Sequence, residues 1–188
     1  VDPLDGTKEF IKRNGEFTTN IAYVYNNKPI FGMIHVPVTK EIYWGAEDKG
    51  SFYISGDNGT SSEKISVSND SHKNLKIVSS RSHPSGSLKL LLDNLDDVEV
   101  VGIGSSLKFC LIAKGEADCY PRFGPTSEWD TAAGEVIAKA AGATVVNLNN
   151  QELLYNSQNE GYLNPYFLVS NSIKNREKIL SIYNQFVR

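Results

Sequence analysis

The apolar residues in the first third of the chain come in short β-branched and aromatic runs broken by polar turns. Phe17 to Tyr25 reads as a strand, Asn26-Asn27-Lys28 as a turn, and Pro29 to Val36 as a second strand. Glu41 to Ala46 and Ser51 to Ile54 follow, joined by Glu47-Asp48-Lys49-Gly50. Four such runs in succession predict an antiparallel meander. Ser55 to Glu63 is rich in Ser, Gly and Asn and reads as exposed loop, with Ile65 to Val67 a short edge strand beyond it.

The pattern then changes to an alternation of strands and helices. Leu75 to Ser79, Val98 to Val101, Asp118 to Tyr120, Ala143 to Asn147 and Phe167 to Val169 read as strands. Between them, Ser85 to Asn94 is a helix with Leu88, Leu91 and Leu92 on one face. Ser105 to Lys114 is a second helix, ended by Gly115, and glycine tolerates a left-handed cap. Thr131 to Ala141 is an Ala-rich helix stopped at Gly142, and Asn175 to Phe186 closes the chain. The expected fold class is α/β (α+β), a layered domain beside the meander. Residues 1–188 are expected to form one domain, with a meander lobe over about 1–70 and an α/β lobe over 71–188.

Composition adds limits. At 188 residues the chain can bury roughly 70% of its unfolded surface without staples. Its net charge of −3 argues against a general nucleic-acid or membrane surface. The two cysteines, Cys110 and Cys119, fall on different elements without metal-ligand spacing and read as reduced core residues, which fits the cytosol. No apolar run approaches membrane-spanning length and no signal peptide is visible.

The stretch with the most chemistry is Val1-Asp2-Pro3-Leu4-Asp5-Gly6-Thr7. Pro3 disfavours a helix or a central strand, and Asp5-Gly6 is a turn dipeptide. The segment therefore reads as a strand ending in a tight loop, with both aspartates turned toward one point. Two close carboxylates repel unless a proton or cation separates them. Hard oxygen donors suit Mg²⁺ or Mn²⁺, and the Leu4 carbonyl is a further oxygen. The N–H groups of Gly6 and Thr7 could hold an anion, and the Thr7 hydroxyl could orient a water. A surface Asp-Gly turn is the simpler alternative. Only Val1 precedes this loop, and there is no initiator Met, so the sequence is expected to be a fragment lacking its N-terminal portion. Val24, Ile30 and Ile34 are then expected on a meander face left exposed by the missing portion.

Three further stretches could take part. Asp130, before the Ala-rich helix, is placed as its N-cap or as a third carboxylate delivered to Asp2 and Asp5, with Ala132 and Ala133 small enough for close packing. Gly104-Ser105-Ser106-Leu107-Lys108 follows a strand and opens a helix, with Ser105 and Lys108 on one face. It is either an anion pocket or a capping serine beside a solvated lysine. Arg122, in Tyr120-Pro121-Arg122-Phe123-Gly124-Pro125, could grip a phosphate bidentately. His83, next to Pro84, reads by itself as a surface turn residue.

Together, Asp2-Pro3-Leu4-Asp5-Gly6-Thr7 and Trp129-Asp130-Thr131-Ala132-Ala133-Gly134 resemble the two signature motifs of the inositol monophosphatase-like, Mg²⁺-dependent, lithium-sensitive phosphatases. Lys8-Glu9-Phe10-Ile11, Asn14-Gly15-Glu16-Phe17, Arg81-Ser82-His83, the Gly104 to Phe109 stretch and the Tyr120 to Pro125 stretch resemble its 3′(2′),5′-bisphosphate nucleotidase branch. The resemblance implies a layered αβαβα fold, two or three Mg²⁺ ions, and Asp2, Asp5, Asp130 and the Leu4 carbonyl as ligands. It implies Asp2, Asp5 and Thr7 as the catalytic groups and Leu4, Asp5, Gly6 and Thr7, with Asp130, around the scissile phosphate. Ser105, Lys108 and Arg122 would hold a second phosphate, with His83 near the base or ribose. The implied reaction converts adenosine 3′,5′-bisphosphate to AMP and phosphate, in the cytoplasm and in sulfur assimilation. The implied partner is that small nucleotide rather than a nucleic acid polymer or a membrane. An inositol-phosphate or sugar-bisphosphate phosphatase and a non-catalytic metal- or nucleotide-binding module are the alternatives. The family also uses an upstream glutamate that this sequence does not contain, so residues 1–188 alone are expected to have little activity.

Overall fold

The carboxylate loop opens the first strand of a six-stranded antiparallel sheet. The structure, a computed structural model, describes residues 1–57, 61–69, 73–81, 86–156 and 160–187. Strand β1 (Asp2–Asp5) leads into helix α1 (Thr7–Lys12), and β2 (Thr18–Tyr25), β3 (Lys28–Val36), β4 (Glu41–Ala46), β5 (Gly50–Ile54) and β6 (Ser62–Ile65) follow in spatial as well as chain order. The expected meander is therefore present, with two differences. Helix α1 has only six residues, too few for a 3.6-residue period to show in the sequence. Strand β6 begins inside the span read as loop and ends at Ile65. Its Ser62, Glu63 and Lys64 are exposed, so backbone pairing with β5 holds it rather than burial.

The second half contains β7 (Leu75–Ser80), α2 (Gly86–Asp93), β8 (Val98–Ile103), α3 (Leu107–Ala113), β9 (Cys119–Arg122), α4 (Glu128–Ala140), β10 (Thr144–Asn147), β11 (Phe167–Ser170) and α5 (Ile173–Ile182). Its sheet runs in the order β10-β11-β9-β7-β8. Strands β8 and β9 flank β7 in parallel, while β11 is antiparallel to both β9 and β10.

Three apolar clusters stack these elements into layers. Ile34, Val36 and Tyr43 of the first sheet pack on Leu107, Cys110, Ala133 and Ile137. Phe109 and Ile112 of α3, with Ala138 of α4, pack on Tyr120, Phe167 and Val169 of the second sheet. Leu88, Leu91, Ile179 and Leu180 cover that sheet's other face at Ile77, Cys119 and Leu168. The described residues thus form sheet, helices, sheet, helices, four of the five layers expected for the fold class. Both cysteines are buried and in no disulfide. Among the described residues, no helix is long and apolar enough to cross a membrane.

Helix α4 lies between two sheets and is buried on nearly all sides, so Ala132, Ala133, Gly134, Val136, Ile137 and Ala138 are covered together with the polar Glu128, Thr131 and Glu135. A Cβ on Gly32 would strike the backbone of Ala133, and one on Gly45 would come within 3.0 Å of the Ile137 Cα. This helix rests on the first sheet at a separation that only glycine allows. Ile34 is consequently fully buried, and Val24 is partly buried against the same helical layer. The expectation that Val24, Ile30 and Ile34 line an exposed face is therefore wrong for Ile34. Side chains alternate along a strand, and the outward set carries Tyr23 and Tyr25, each 58% exposed, with Trp44 stacked on Phe52.

Gly32→Ala should force β3 away from α4 and destabilise the fold by about 1–3 kcal/mol, the range for inserting a methyl into a packed core. Denaturant unfolding monitored at the tryptophans measures this. A midpoint equal to the parent's would show that the helix-to-sheet spacing has slack.

Candidate active site

Strand β1 lies at the sheet edge, where a proline interrupts no ladder. It pairs with β2 at Asp2–Asn20 and Asp5–Thr18, with an irregularity between that takes up Pro3. The Thr19 hydroxyl donates to the Pro3 carbonyl at 3.0 Å, and the Leu4 N–H donates to Asp2 Oδ1 at 3.0 Å. Gly6 then takes φ +85°, the left-handed turn that sends the chain into α1.

Asp5 is oriented by three polar groups from two segments, β2 and the start of α3. Its Oδ2 lies 2.6 Å from Ser106 Oγ, accepts from Asn20 Nδ2 at 3.3 Å, and has Thr18 Oγ1 at 3.4 Å. Ser106 Oγ also accepts from Asn20 Nδ2 at 2.8 Å and sits 2.8 Å from the Asp130 carbonyl. Its single proton can serve Asp5 or that carbonyl, so the hydroxyl ties β1, β2, α3 and α4 into one knot.

Asp130 completes the cluster. Carboxylate oxygens of Asp2, Asp5 and Asp130 all lie within 4.8 Å of one another. Burial, then the charge of Asp5 and the neighbouring Asp2, push the Asp130 carboxyl up to about 7, against the Ser127 N–H that favours its ionised form. Three hard oxygen donors that resist carrying three charges suit a divalent cation, and a hydrogen-bonded Asp5 already points one of them. The placement of Asp130 differs from the expected N-cap. Helix α4 starts at Glu128 with Ser127 as its cap, and Asp130 is the third helical residue, whose side chain accepts from the Ser127 N–H at 3.2 Å. The pattern Ser-x-x-Asp is a capping box, a signal that was available in the sequence.

Beside the carboxylates is a cleft of about 230 Å³ whose lining includes Gly6, Thr7, Ser105, Lys108, Arg122 and Asp130. Lys108 is buried, its Nζ donating to the Ser105 carbonyl and lying 5.5 Å from the centre of the Tyr120 ring. Burial first, together with Arg122, lowers its amine to about 8, while Asp5, Glu9 and Asp130 hold it up. Arg122 is the last residue of β9 rather than part of a loop, and the loop that follows braces it: Nε donates to Thr126 Oγ1 at 2.7 Å and Nη2 to the Pro125 carbonyl at 3.0 Å. Ser105 does not share a helix face with Lys108. It stands before the helix at φ +46°, with Ser106 as the cap, because the chain must turn sharply from β8 into α3.

The structure therefore brings together Asp2, Asp5, Gly6, Thr7, Ser105, Lys108, Arg122 and Asp130, from four stretches of chain. Leu4 lies in β1 between the two aspartates, and His83 falls outside the described residues. Thr18, Asn20, Glu9 and Thr126 were missed. Thr18 and Asn20 are buried polar residues two apart on a strand whose other inward positions are apolar. That break in the pattern marks a polar site only once the inward face is known.

The raised Asp130 carboxyl has a consequence for stability. In the metal-free fold it keeps its proton to about pH 7, whereas unfolded it would lose it near 3.8, so stability falls as pH rises between those values. Asp130→Asn should remove that cost. In chelator, its gain in Tm over the parent should be small at pH 4, grow toward pH 7 and level off above. A pH-independent difference would mean that Asp130 ionises normally in the fold.

Comparison with known proteins agrees with this geometry. The profile of the inositol monophosphatase family matches residues 1–185. The 3′(2′),5′-bisphosphate nucleotidase CysQ of Salmonella typhimurium strain LT2 is 50% identical over 170 residues, covering 90% of this chain and 66% of that protein. CysQ of Escherichia coli strain K12 gives the same identity and coverage. The crystal structure of CysQ from Bacteroides thetaiotaomicron, described as a bacterial member of the inositol monophosphatase family, superposes with a TM-score of 0.83 at 46% identity, over 91% of this chain and 68% of that one. The chain thus spans about two thirds of the length of these relatives. On the family match and on these identities, the chain belongs to the inositol monophosphatase family.

Proposed function

We propose that the protein is a Mg²⁺-dependent 3′(2′),5′-bisphosphate nucleotidase, which hydrolyses the 3′-phosphate of adenosine 3′,5′-bisphosphate to give AMP and phosphate. The observation that carries this reading is the pairing of opposite charges in one cleft. A three-carboxylate cluster stands beside a buried lysine and a braced arginine. A simple monophosphate needs the first group, whereas a substrate with a second, remote phosphate also needs the other two. The names of the relatives at 50% identity support the same choice.

In this reading Asp2, Asp5 and Asp130, with the Leu4 carbonyl, hold two or three Mg²⁺ ions, and Mn²⁺ also suits their oxygens. Bound there, the metal supplies positive charge at the phosphoryl oxygens and a water acidic enough to attack at neutral pH. Gly6 and Thr7 place the scissile phosphate at the start of α1, and the Thr7 hydroxyl orients the water. Asp5, held by Ser106 and Asn20, keeps its carboxylate from rotating as charge builds. Ser105, Lys108 and Arg122 hold the second phosphate, and His83 lies near the base or ribose. The same reading carries a cytoplasmic location and a place in sulfur assimilation.

Phosphate release by the complete protein, with and without Mg²⁺, tests this directly. Adenosine 3′,5′-bisphosphate should be turned over faster than an inositol monophosphate, and chelation should abolish both. Preference for the inositol ester would overturn the nucleotidase reading. Asp5→Asn should cost about 10²-fold or more in turnover at saturating Mg²⁺, since several kcal/mol of transition-state stabilisation rest on the metal.

Arg122→Ala should weaken the bisphosphate by roughly 2–5 kcal/mol, the cost of truncating one side of a charge pair. Its effect on adenosine 3′-monophosphate should be much smaller. Equal losses on the two substrates would place Arg122 in the fold or in the shared site instead.

A further inference from the structure

Glu16 lies outside the cleft lining, yet its carboxylate joins three segments that are far apart in sequence. Its Oε2 accepts the Gly104 N–H at 2.8 Å, and its Oε1 lies 2.6 Å from Arg81 Nη2. Arg81 Nη2 in turn donates to the Gly102 carbonyl at 2.8 Å. The turn that presents Glu16 is itself built: Gly15 has φ +82°, and the Glu16 N–H donates to Asn14 Oδ1 at 3.0 Å. Packing here has no slack. A Cβ on Gly104 would strike the Glu9 side chain and come within 3.0 Å of the Glu16 carbonyl. One on Gly6 would meet Ser105 Cβ at 3.2 Å and the same carbonyl at 3.3 Å.

The residue after Gly104 is the strained one. Ser105 holds φ +46° without being glycine, a conformation that persists only where its neighbours over-determine it. Its downstream neighbour is anchored through the Ser106 hydroxyl at Asp5. Its upstream neighbour is anchored by Glu16. Between the two anchors, the Ser105 carbonyl receives the Lys108 amine.

We infer that Glu16, locked by Arg81, is a positioning residue that holds the Gly104–Lys108 turn and so sets selectivity for the substrate's second phosphate. It acts through Ser105 and Lys108 and touches no substrate itself. The inference rests on the reading of those two residues as the second-phosphate pocket. Loss of Glu16 frees the upstream end of the turn, Ser105 relaxes, and the amine loses its fixed acceptor. The carboxylate cluster keeps its own anchors at Ser106 and Asn20, so the shared phosphatase chemistry is less affected.

The test compares Glu16→Ala, Glu16→Gln, Arg81→Ala and the Glu16→Ala/Arg81→Ala pair in the complete protein with Mg²⁺. In Glu16→Ala, KM for adenosine 3′,5′-bisphosphate should rise about tenfold while kcat, and both constants for adenosine 3′-monophosphate, change by less than about threefold. Glu16→Gln keeps an oxygen for the Gly104 N–H and should recover most of that affinity. Arg81→Ala should give a smaller loss of the same kind that does not add to that of Glu16→Ala. Equal losses on the two substrates, no loss on either, or additive effects would overturn the inference. Amide exchange reads the latch without any turnover: residues 104–107 should exchange faster in Glu16→Ala while α4 stays protected. Unchanged exchange would also overturn it. A parent protein that fails to hydrolyse the bisphosphate would instead remove the nucleotidase reading, and exchange would still decide on the latch.

Discussion

Three carboxylates held within 4.8 Å of one another are the constraint that the rest of this structure serves. Like charges at that range oppose folding unless a proton or a cation intervenes. The fold answers with fixed donors on Asp5 and with rigid delivery of Asp130. The first comes from Thr18, Asn20 and Ser106. The second comes from α4, which lies so close to β3 and β4 that only glycine fits at positions 32 and 45. Neither the spacing of Asp2 and Asp5 nor the helix by itself makes the site. The glycines let a helix from residue 128 onward meet a loop at the start of the chain.

The same electrostatics shape the basic side of the cleft. Burial, with Arg122, lowers the Lys108 amine to about 8, and Asp5, Glu9 and Asp130 oppose that shift. Arg122 is half-buried, and its guanidinium is braced by Thr126 and Pro125. Acidic and basic halves therefore stabilise each other across the cleft before any ligand arrives. In the proposed reading, a phosphate entering between them would meet groups already oriented, so less ordering would remain to be done on binding.

Much of this was legible in the residues. Pro3 between two aspartates announced an edge position and a carboxylate turn, and the β-branched runs announced the meander. Ser127-x-x-Asp130 contained the correct start of α4, and the error of three residues came from reading Asp130 as a cap instead of as the partner of one. Short elements were harder. Helix α1 has too few turns to display a period, and the exposed polar residues of β6 resemble a loop because the strand is held by its backbone.

Local chemistry, then, was determined by the sequence: which segments extend, which coil, and which residues bring carboxylate oxygens or basic groups. Those properties depend on neighbours within a few positions, where propensity and spacing act. What faces what was decided only in three dimensions. Whether Val24 and Ile34 look inward, whether Ser106 reaches Asp5, and whether Glu16 reaches Gly104 all depend on contacts between segments separated by up to about a hundred residues. Such contacts form when helices settle between two sheets and close packing leaves one arrangement that fits. No periodicity along the chain encodes that arrangement.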